Sequence, residues 1–394
     1  MLPPISQNIQ VNFKYNIIFT EGLFKADNSL LLNTLNPSSG SCETKILCVV
    51  DNGLLDANPG LFKEINQYFD GQPSLQCVQP PLVVPGGEKV KNHTQYVEAI
   101  QELIHRHKID RHSYILAIGG GAVIDMVGYA AAVSHRGVRL IRIPTTVLSQ
   151  NDSAVGVKNG INAYGKKNFL GTFAPPYAVL IDFDFLTTLN DRDWISGTSE
   201  AVKVALLKDP DFFHFLEDHS GRLQGRDMPS MQKLIYRCAE LHLDHIANSG
   251  DPFEAGTSRP LDFGHWAAHK IEQLSNYKIR HGEAVAVGLA LDVTYAYYSN
   301  ILSKNDWIRI LELLRQLGFK LFVPELTINL DEPGKHPSIL EGLNEFREHL
   351  GGQLTIMLIK GIGESFETHT MDEKRILKSI KALREYELST TVNR

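Results

Sequence analysis

The 394-residue chain has no CxxC pair, no GxGxxG fingerprint, no complete HExxH motif and no apolar run long enough to cross a bilayer. Its four cysteines, Cys42, Cys48, Cys77 and Cys238, are scattered, which excludes a zinc knuckle and a disulfide framework. Cys48 and Cys238 lie in apolar stretches and are expected to be packed. There is no long basic block, and 45 acidic against 39 basic residues leave a formal net charge of −6. A general nucleic-acid binder needs clustered Lys and Arg, so no nucleic-acid partner is expected, although a few local cations suffice for one phosphate. The opening MLPPISQNIQVNF lacks the charged-then-apolar plan of a secretory signal, and the expected location is cytoplasmic with no membrane span. What is present, 43% hydrophobic and 21% charged residues, is the composition of an ordinary globular protein. The length exceeds one ordinary core and suits two domains of roughly 150–200 residues.

Strand and helix patterns alternate through the first half. Residues 45–50, 114–118, 138–143 and 178–182 are short β-branched runs ending at Gly, Pro or Asp, with helical patterns at 95–107 and 122–133 between them. This order predicts a mostly parallel sheet with helices on its faces. After about Asp193, helical patterns follow one another at 199–207, 233–247, 265–275, 282–299, 306–317 and 372–386. The expected architecture is an α/β N-terminal nucleotide-binding domain, residues 1–195, followed by an all-α metal-binding domain, residues 196–394.

The strand at 114–118 runs straight into Gly119-Gly120-Gly121 and then a helix. Such a turn lets backbone N–H groups approach a pyrophosphate at the helix N-terminus. Asp51, directly after the strand at 45–50, is placed either to accept from ribose hydroxyls or to cap the next turn. The stretch Pro85-Gly86-Gly87-Glu88-Lys89-Val90-Lys91 is a turn carrying both signs of charge. Each alone reads as local structure; the three together point to a nucleotide.

His265 and His269 stand at i and i+4, on one helix face. Trp266 occupies the position a protease would give to its general-base Glu, so the protease reading is rejected. His281 opens a helix rich in small residues, and Glu200 sits among apolar helical residues. One carboxylate and two imidazoles with an open position is the usual plan of a catalytic Zn²⁺ site. Spacing leaves three histidines for two places.

Taken together, these motifs closely resemble the dehydroquinate synthase family of sugar-phosphate cyclases over roughly residues 45–365. The likeness runs through Gly86-Gly87-Glu88 to Lys91, Gly119 to Asp125, Pro144-Thr145-Thr146, Asp152-Ser153 to Lys158, Gly160-Ile161-Asn162, Gly165 to Asn168, Glu200 to Lys203, His265 and His281-Gly282-Glu283-Ala284-Val285. The resemblance implies NAD held by Asp51, Glu88, Lys91, Gly120, Gly121, Asp125, Thr145 and Thr146. It implies a divalent metal, Zn²⁺ or Co²⁺, on Glu200, His265 and His281, and assigns His269 to the substrate with Asp152, Lys158, Lys167, Asn168 and Lys203. Arg136 is similar to the family's arginine that reaches a neighbouring subunit's phosphate, which implies a homodimer. The implied chemistry is oxidation of a ring hydroxyl by NAD⁺, β-elimination of phosphate, return of the hydride, ring opening and an intramolecular aldol closure. Cationic Lys158 and Lys203, with Asn168 and His269, suit phosphate and developing oxyanion charge.

Four departures bear on the substrate. Asp262 stands where the family has Asn, and His242 where a Lys follows Cys-x-Glu-Leu. Ser258 takes the place of an Arg, with Arg259 one residue later, and Glu345 to Gly352 replaces a lysine-bearing segment. Arg259, Asp262 and His242 remain candidate substrate contacts. These changes resemble divergent cyclases, including those acting on sedoheptulose 7-phosphate, and RPLDFGHWAAHK with His269 looks most like the EboD-type branch. The expected activity is cyclisation of a seven-carbon sugar phosphate with loss of phosphate. The alternatives are a sedoheptulose 7-phosphate cyclase, an NAD-dependent metal polyol dehydrogenase, and a silent binding protein.

Overall fold

The computed structural model describes residues 3–35, 44–251, 253, 260–330, 337–349 and 352–392. Strands β1 (Asn16–Thr20), β2 (Thr44–Asp51), β3 (Leu75–Cys77), β4 (Leu82–Val84), β5 (Tyr114–Gly119), β6 (Arg139–Pro144) and, after an antiparallel hairpin β7 (Lys158–Ala163) and β8 (Lys166–Phe173), β9 (Ala178–Asp182) build the first half. Seven of them form one parallel sheet in the order β1-β9-β6-β5-β2-β3, with β4 continuing the edge beside the last residues of β2. Side chains alternate faces along each strand. Leu47 and Val49 of β2 and Ile115 and Ala117 of β5 enter one apolar core. Ile46, Cys48 and Val50 with Tyr114, Leu116 and Ile118 enter another on the opposite face. That double burial is why β2 and β5 read as continuous apolar runs.

The first core continues without a break into the helices of the second half. The helices that build the site are α1 (Gly121–Val133), α2 (Thr198–Lys208), α3 (Met228–Asn248), α4 (His265–Leu274) and α5 (His281–Tyr298). The helical half also holds a hairpin, β10 (Ile356–Gly361) and β11 (Glu364–Thr368), which the all-α reading omits. Its buried run IMLI has no period that separates strand from helix. Short β1, β3 and β4 and the polar hairpin β7–β8 are likewise absent from the sequence reading. Cys48 and Cys238 are buried as expected, Cys77 is partly buried, and Cys42 lies outside the described residues. Among the described residues no helix is long and apolar enough to cross a membrane.

Helices α4 and α5 meet backbone to backbone. Gly264, with φ +77°, precedes α4, and a Cβ there would lie 2.7 Å from the amide nitrogen of Leu289. A Cβ on Gly288 would run into the Gly264 carbonyl. One turn on, the buried Asp292 carboxylate accepts from the Gly264 N–H at 3.1 Å and from the Trp266 indole N–H at 2.9 Å. Burial pushes that carboxyl up to about 7 despite both donors. Gly288→Ala is expected to force α4 off α5, because the clash is with backbone rather than a flexible side chain. Overpacking of this kind costs about 1–3 kcal/mol, to be read as a lowered melting temperature; an unchanged one would show that the contact is not constraining.

Candidate metal and nucleotide site

The C-terminal ends of β2 and β5 lie side by side, and from there the chain winds outward in opposite directions. Ligands of open parallel sheets bind at such a switch point. Asp51 caps the next turn, accepting from the Gly53 N–H at 2.8 Å. The capping alternative is thus realised, and the ribose alternative stays open because the same carboxylate is enclosed by glycines. A Cβ on Gly86 would strike it, and one on Gly119 would sit 3.0 Å from Asp51 Cβ. Burial raises the Asp51 carboxyl pKa, against the N–H groups of Gly53, Gly120 and Leu54. The three separate sequence signals are therefore one cluster.

Gly120 and Gly121 open α1, and a Cβ on Gly121 would lie 2.5 Å from Ser153 Oγ. That hydroxyl is shielded from solvent and has no hydrogen-bond partner among the described residues. Thr145 donates its N–H to the Gly119 carbonyl at 3.1 Å, and a Cβ on Gly120 would sit 3.5 Å from Thr146 Cγ2. This cradle of bare backbone at a helix N-terminus fits a pyrophosphate. Behind it the buried Lys91 ammonium pairs with Asp125 at 2.8 Å, bonds the Asn168 side chain, and stands 3.9 Å from Glu88.

Glu200 on α2 is fully buried, and its Oε1 makes no hydrogen bond among the described residues. Oε1 is 3.5 Å from His265 Nε2 and 3.4 Å from His281 Nε2. Oε2 pairs with Lys203, one turn along the helix. His265 Nδ1 lies 3.0 Å from the Phe263 carbonyl, and His281 Nδ1 lies 3.2 Å from Glu272 Oε2. Carbonyl and carboxylate oxygens only accept, so Nδ1 carries the proton on each ring. Both Nε2 atoms are thereby turned on one carboxylate oxygen. This is a His/His/Glu donor set around an under-bonded carboxylate, and it fits a divalent metal.

Burial opposes ionisation of Glu200, but Lys203, His265 and His281 outweigh it and hold its carboxyl well below the usual range. Burial likewise pulls His281 down, yet Glu272 and Glu200 together push it up to about 9. His269 stands beside the set, its ring 5.5 Å from that of His265 and 6.0 Å from that of His281. It forms an overlapping group with Glu272 and His281. Burial, then Lys167 and His265, hold it neutral, well below the ordinary histidine value.

Asp152 lies in a π-helical turn, Ser149–Ser153, and its Oδ1 is 2.9 Å from Nδ1 of His242 on α3. Burial and Glu200 raise its carboxyl, while His242 and Lys203 bring it below the ordinary value. Lys167 turns to Glu272, with contacts of 3.0 and 3.3 Å, while the next residue, Asn168, turns to Lys91. Lys158 opens β7 and is exposed. The Asp262 carbonyl accepts the His265 N–H at 3.0 Å, so its residue sits at the foot of α4. Arg136 is exposed, before β6 and at the opposite end of the sheet from Gly119. Among the described residues it meets none of the other candidates within its own chain. Ser258 and Arg259 lie outside the described residues. Glu345 bonds Lys270 at 2.7 Å, which docks the helix Glu341–His349 on α4.

Sequence reasoning missed Glu272 and Arg142. Glu272 had a signal, being seven residues after His265 and so on the same helix face. Arg142 had none, since it reads as one residue of an apolar strand. Its buried guanidinium donates to the carbonyls of Ala154 (2.9 Å), Gly156 (2.6 Å) and Lys158 (3.0 Å) and to Asn159 Oδ1 (2.7 Å). It pins the segment that joins Asp152 to Lys158.

Comparison with known proteins matches residues 81–196 to the family described as 3-dehydroquinate synthase N-terminal, and residues 197–333 to 3-dehydroquinate synthase C-terminal. The 3-dehydroquinate synthase of Ruegeria pomeroyi is 36% identical over 301 residues, covering 75% of this chain and 79% of that one. The solved 2-epi-5-epi-valiolone synthase of Streptomyces hygroscopicus, with NAD⁺ and Zn²⁺ bound, superposes with a TM-score of 0.84 at 25% identity, over 97% of this chain and 100% of that one. A probable glycerol dehydrogenase of Sinorhizobium meliloti, at 14% identity and a TM-score of 0.60 over 95% and 97% of the two chains, shares the fold alone.

Uptake of an ion at Glu200, His265 and His281 has to displace the proton that keeps His281 charged below about pH 9. Metal affinity is therefore expected to fall as pH is lowered from that value, by about tenfold per pH unit for one proton. Calorimetric titration in buffers of different ionisation enthalpy should count about one proton released near neutral pH. An affinity flat across that interval would contradict a charged His281.

Proposed function

The chain belongs to the 3-dehydroquinate synthase family, and from that premise we propose that it cyclises a seven-carbon sugar phosphate with loss of phosphate, using NAD and a divalent metal. The observation that carries this reading is the buried Glu200 facing Nε2 of both His265 and His281 beside a glycine-walled cradle. Glu200, His265 and His281 would hold Zn²⁺ or Co²⁺; Asp51, Gly120, Gly121, Thr145 and Thr146 would hold NAD, backed by Glu88, Lys91 and Asp125. When bound, the metal supplies a Lewis acid for the oxygen of the reacting carbon, and NAD accepts and then returns a hydride.

The chain's own residues do the rest. Lys203 stays a cation, since Glu200 and Asp152 outweigh the burial that opposes its charge. It would stabilise oxyanion character at the oxidised carbon. His269, kept neutral, can take or give a proton where phosphate departs. Lys158 and Asn168 would receive the phosphate, with Arg136 of a second copy completing the site in a homodimer. Asp152 and His242 would orient substrate hydroxyls. We also propose domains 1–195 and 196–394, a division the family match at 196/197 supports. A cytoplasmic location belongs to the same proposal.

A second reading concerns the substrate's other end. Lys91, Lys167, Lys203 and His242 each face a carboxylate of the chain itself. That arrangement favours a hydroxyl-bearing substrate such as sedoheptulose 7-phosphate over one bringing a further carboxylate. The likeness to 2-epi-5-epi-valiolone synthase supports it, while the names of the curated relatives support 3-deoxy-arabino-heptulosonate 7-phosphate. A polyol dehydrogenase would have no use for a phosphate-elimination site.

The test is to incubate metal-loaded protein and NAD with both heptulose phosphates. One of them is expected to yield phosphate and carbocycle in equal amounts with no net NADH. NADH accumulating without phosphate release would favour the dehydrogenase instead. His281→Ala should abolish turnover while retaining NAD binding, and full activity in that variant would sink the metal assignment.

A further inference from the structure

Glu272 has no part in the chemistry proposed above, yet it is a buried carboxylate aimed at one of the proposed metal ligands. Oε2 accepts the Nδ1–H of His281 at 3.2 Å, and the Lys167 ammonium holds both oxygens, at 3.0 and 3.3 Å. We propose that Glu272 is a positioning residue that fixes His281 as a metal ligand, and that Lys167 holds Glu272 to that task. The inference rests on the metal reading given above.

The two imidazoles facing Glu200 are oriented by different means. His265 gives its Nδ1 proton to the Phe263 backbone carbonyl at 3.0 Å, a partner no side-chain substitution removes. Among the described residues, Nδ1 of His281 has the Glu272 carboxylate as its one acceptor. A ring without that acceptor loses both its tautomer and its rotation, and such outer partners are commonly worth 10–100-fold in metal affinity.

Lys167 adds a second element. His269, Glu272 and His281 are close enough to form a ligand group of their own, sharing His281 with the first. An ion there would take Nδ1 of His281, displacing the proton that Glu272 accepts and with it the hydrogen bond that orients the ring. The ammonium of Lys167 already sits against that carboxylate, so the alternative group meets an ion with a like charge. Two overlapping donor sets thereby become one preferred position.

The test uses the purified full-length chain, stripped of metal and titrated with Co²⁺ in competition with a chromophoric chelator. The visible absorption bands of bound Co²⁺ are the readout, and NAD binding and melting temperature control for folding. Glu272→Met, which removes the acceptor at similar volume, is expected to bind Co²⁺ about 10–100-fold more weakly with altered bands. Glu272→Gln keeps an acceptor of the same length and should lose a smaller factor; it carries the test if the first variant does not fold. Lys167→Met should admit a second Co²⁺ environment. Wild-type affinity and bands in a folded Glu272 variant overturn the positioning role, and an unchanged spectrum in Lys167→Met overturns the role of the lysine. A wild-type chain that binds no Co²⁺ overturns the metal reading and this inference with it.

Discussion

Burying a carboxylate costs several kcal/mol if its charge stands alone, and Glu200 is fully buried. Much of the helical half can be understood as the answer to that cost. Lys203 comes from the same helix, one turn on, and His265 and His281 come from the first residues of two others. Those two helix starts can converge on one oxygen only because Gly264 and Gly288 let the backbones touch. Asp292 then fixes the contact through the Gly264 N–H and the Trp266 indole. Trp266, which in the sequence merely denied a protease its glutamate, serves this packing. The small residues of α5, its low polarity and the left-handed turn before α4 answer one constraint.

The nucleotide side depends on an absence of side chains. Gly53, Gly86, Gly119 and Gly120 surround Asp51 from three separate stretches of the chain, and each leaves open a position that any other residue would fill. This explains why Asp51 can be a helix cap without ceasing to be a candidate ribose contact. Its side chain accepts from Gly53, and the backbone N–H groups of Gly120 and Leu54 reach it as well.

The parts of the fold legible in the sequence are those set by local periodicity. Doubly buried β2, β5, β6 and β9 announce themselves as apolar runs, and α2 to α5 as helical patterns. Strands of three residues, such as β3 and β4, exist only because β2 offers an edge, and nothing within them says so. At the site, Glu200, His265 and His281 were nameable as a donor set, but spacing could not decide between His269 and His281. What separates them is long-range: Nε2 of His281 lies against Glu200, whereas His269 falls beside Lys167. Lys167 illustrates the converse. Its motif implied a substrate contact, and a carboxylate 105 residues away takes its ammonium. Arg142 was beyond reach, because its partners are carbonyls of a loop whose path is a product of folding.

The hairpin β7–β8 carries one feature whose meaning is thermodynamic. Consecutive residues Lys167 and Asn168 point opposite ways, the first to Glu272 behind His281 and the second to Lys91 beside Asp125. A single stretch of backbone, with Asn168 at φ +53°, thus joins the surroundings of the proposed metal ligands to those of the proposed nucleotide cradle. Any free energy that occupancy of one sends through this link must be returned in equal measure by occupancy of the other, since coupling between two bound ligands is reciprocal.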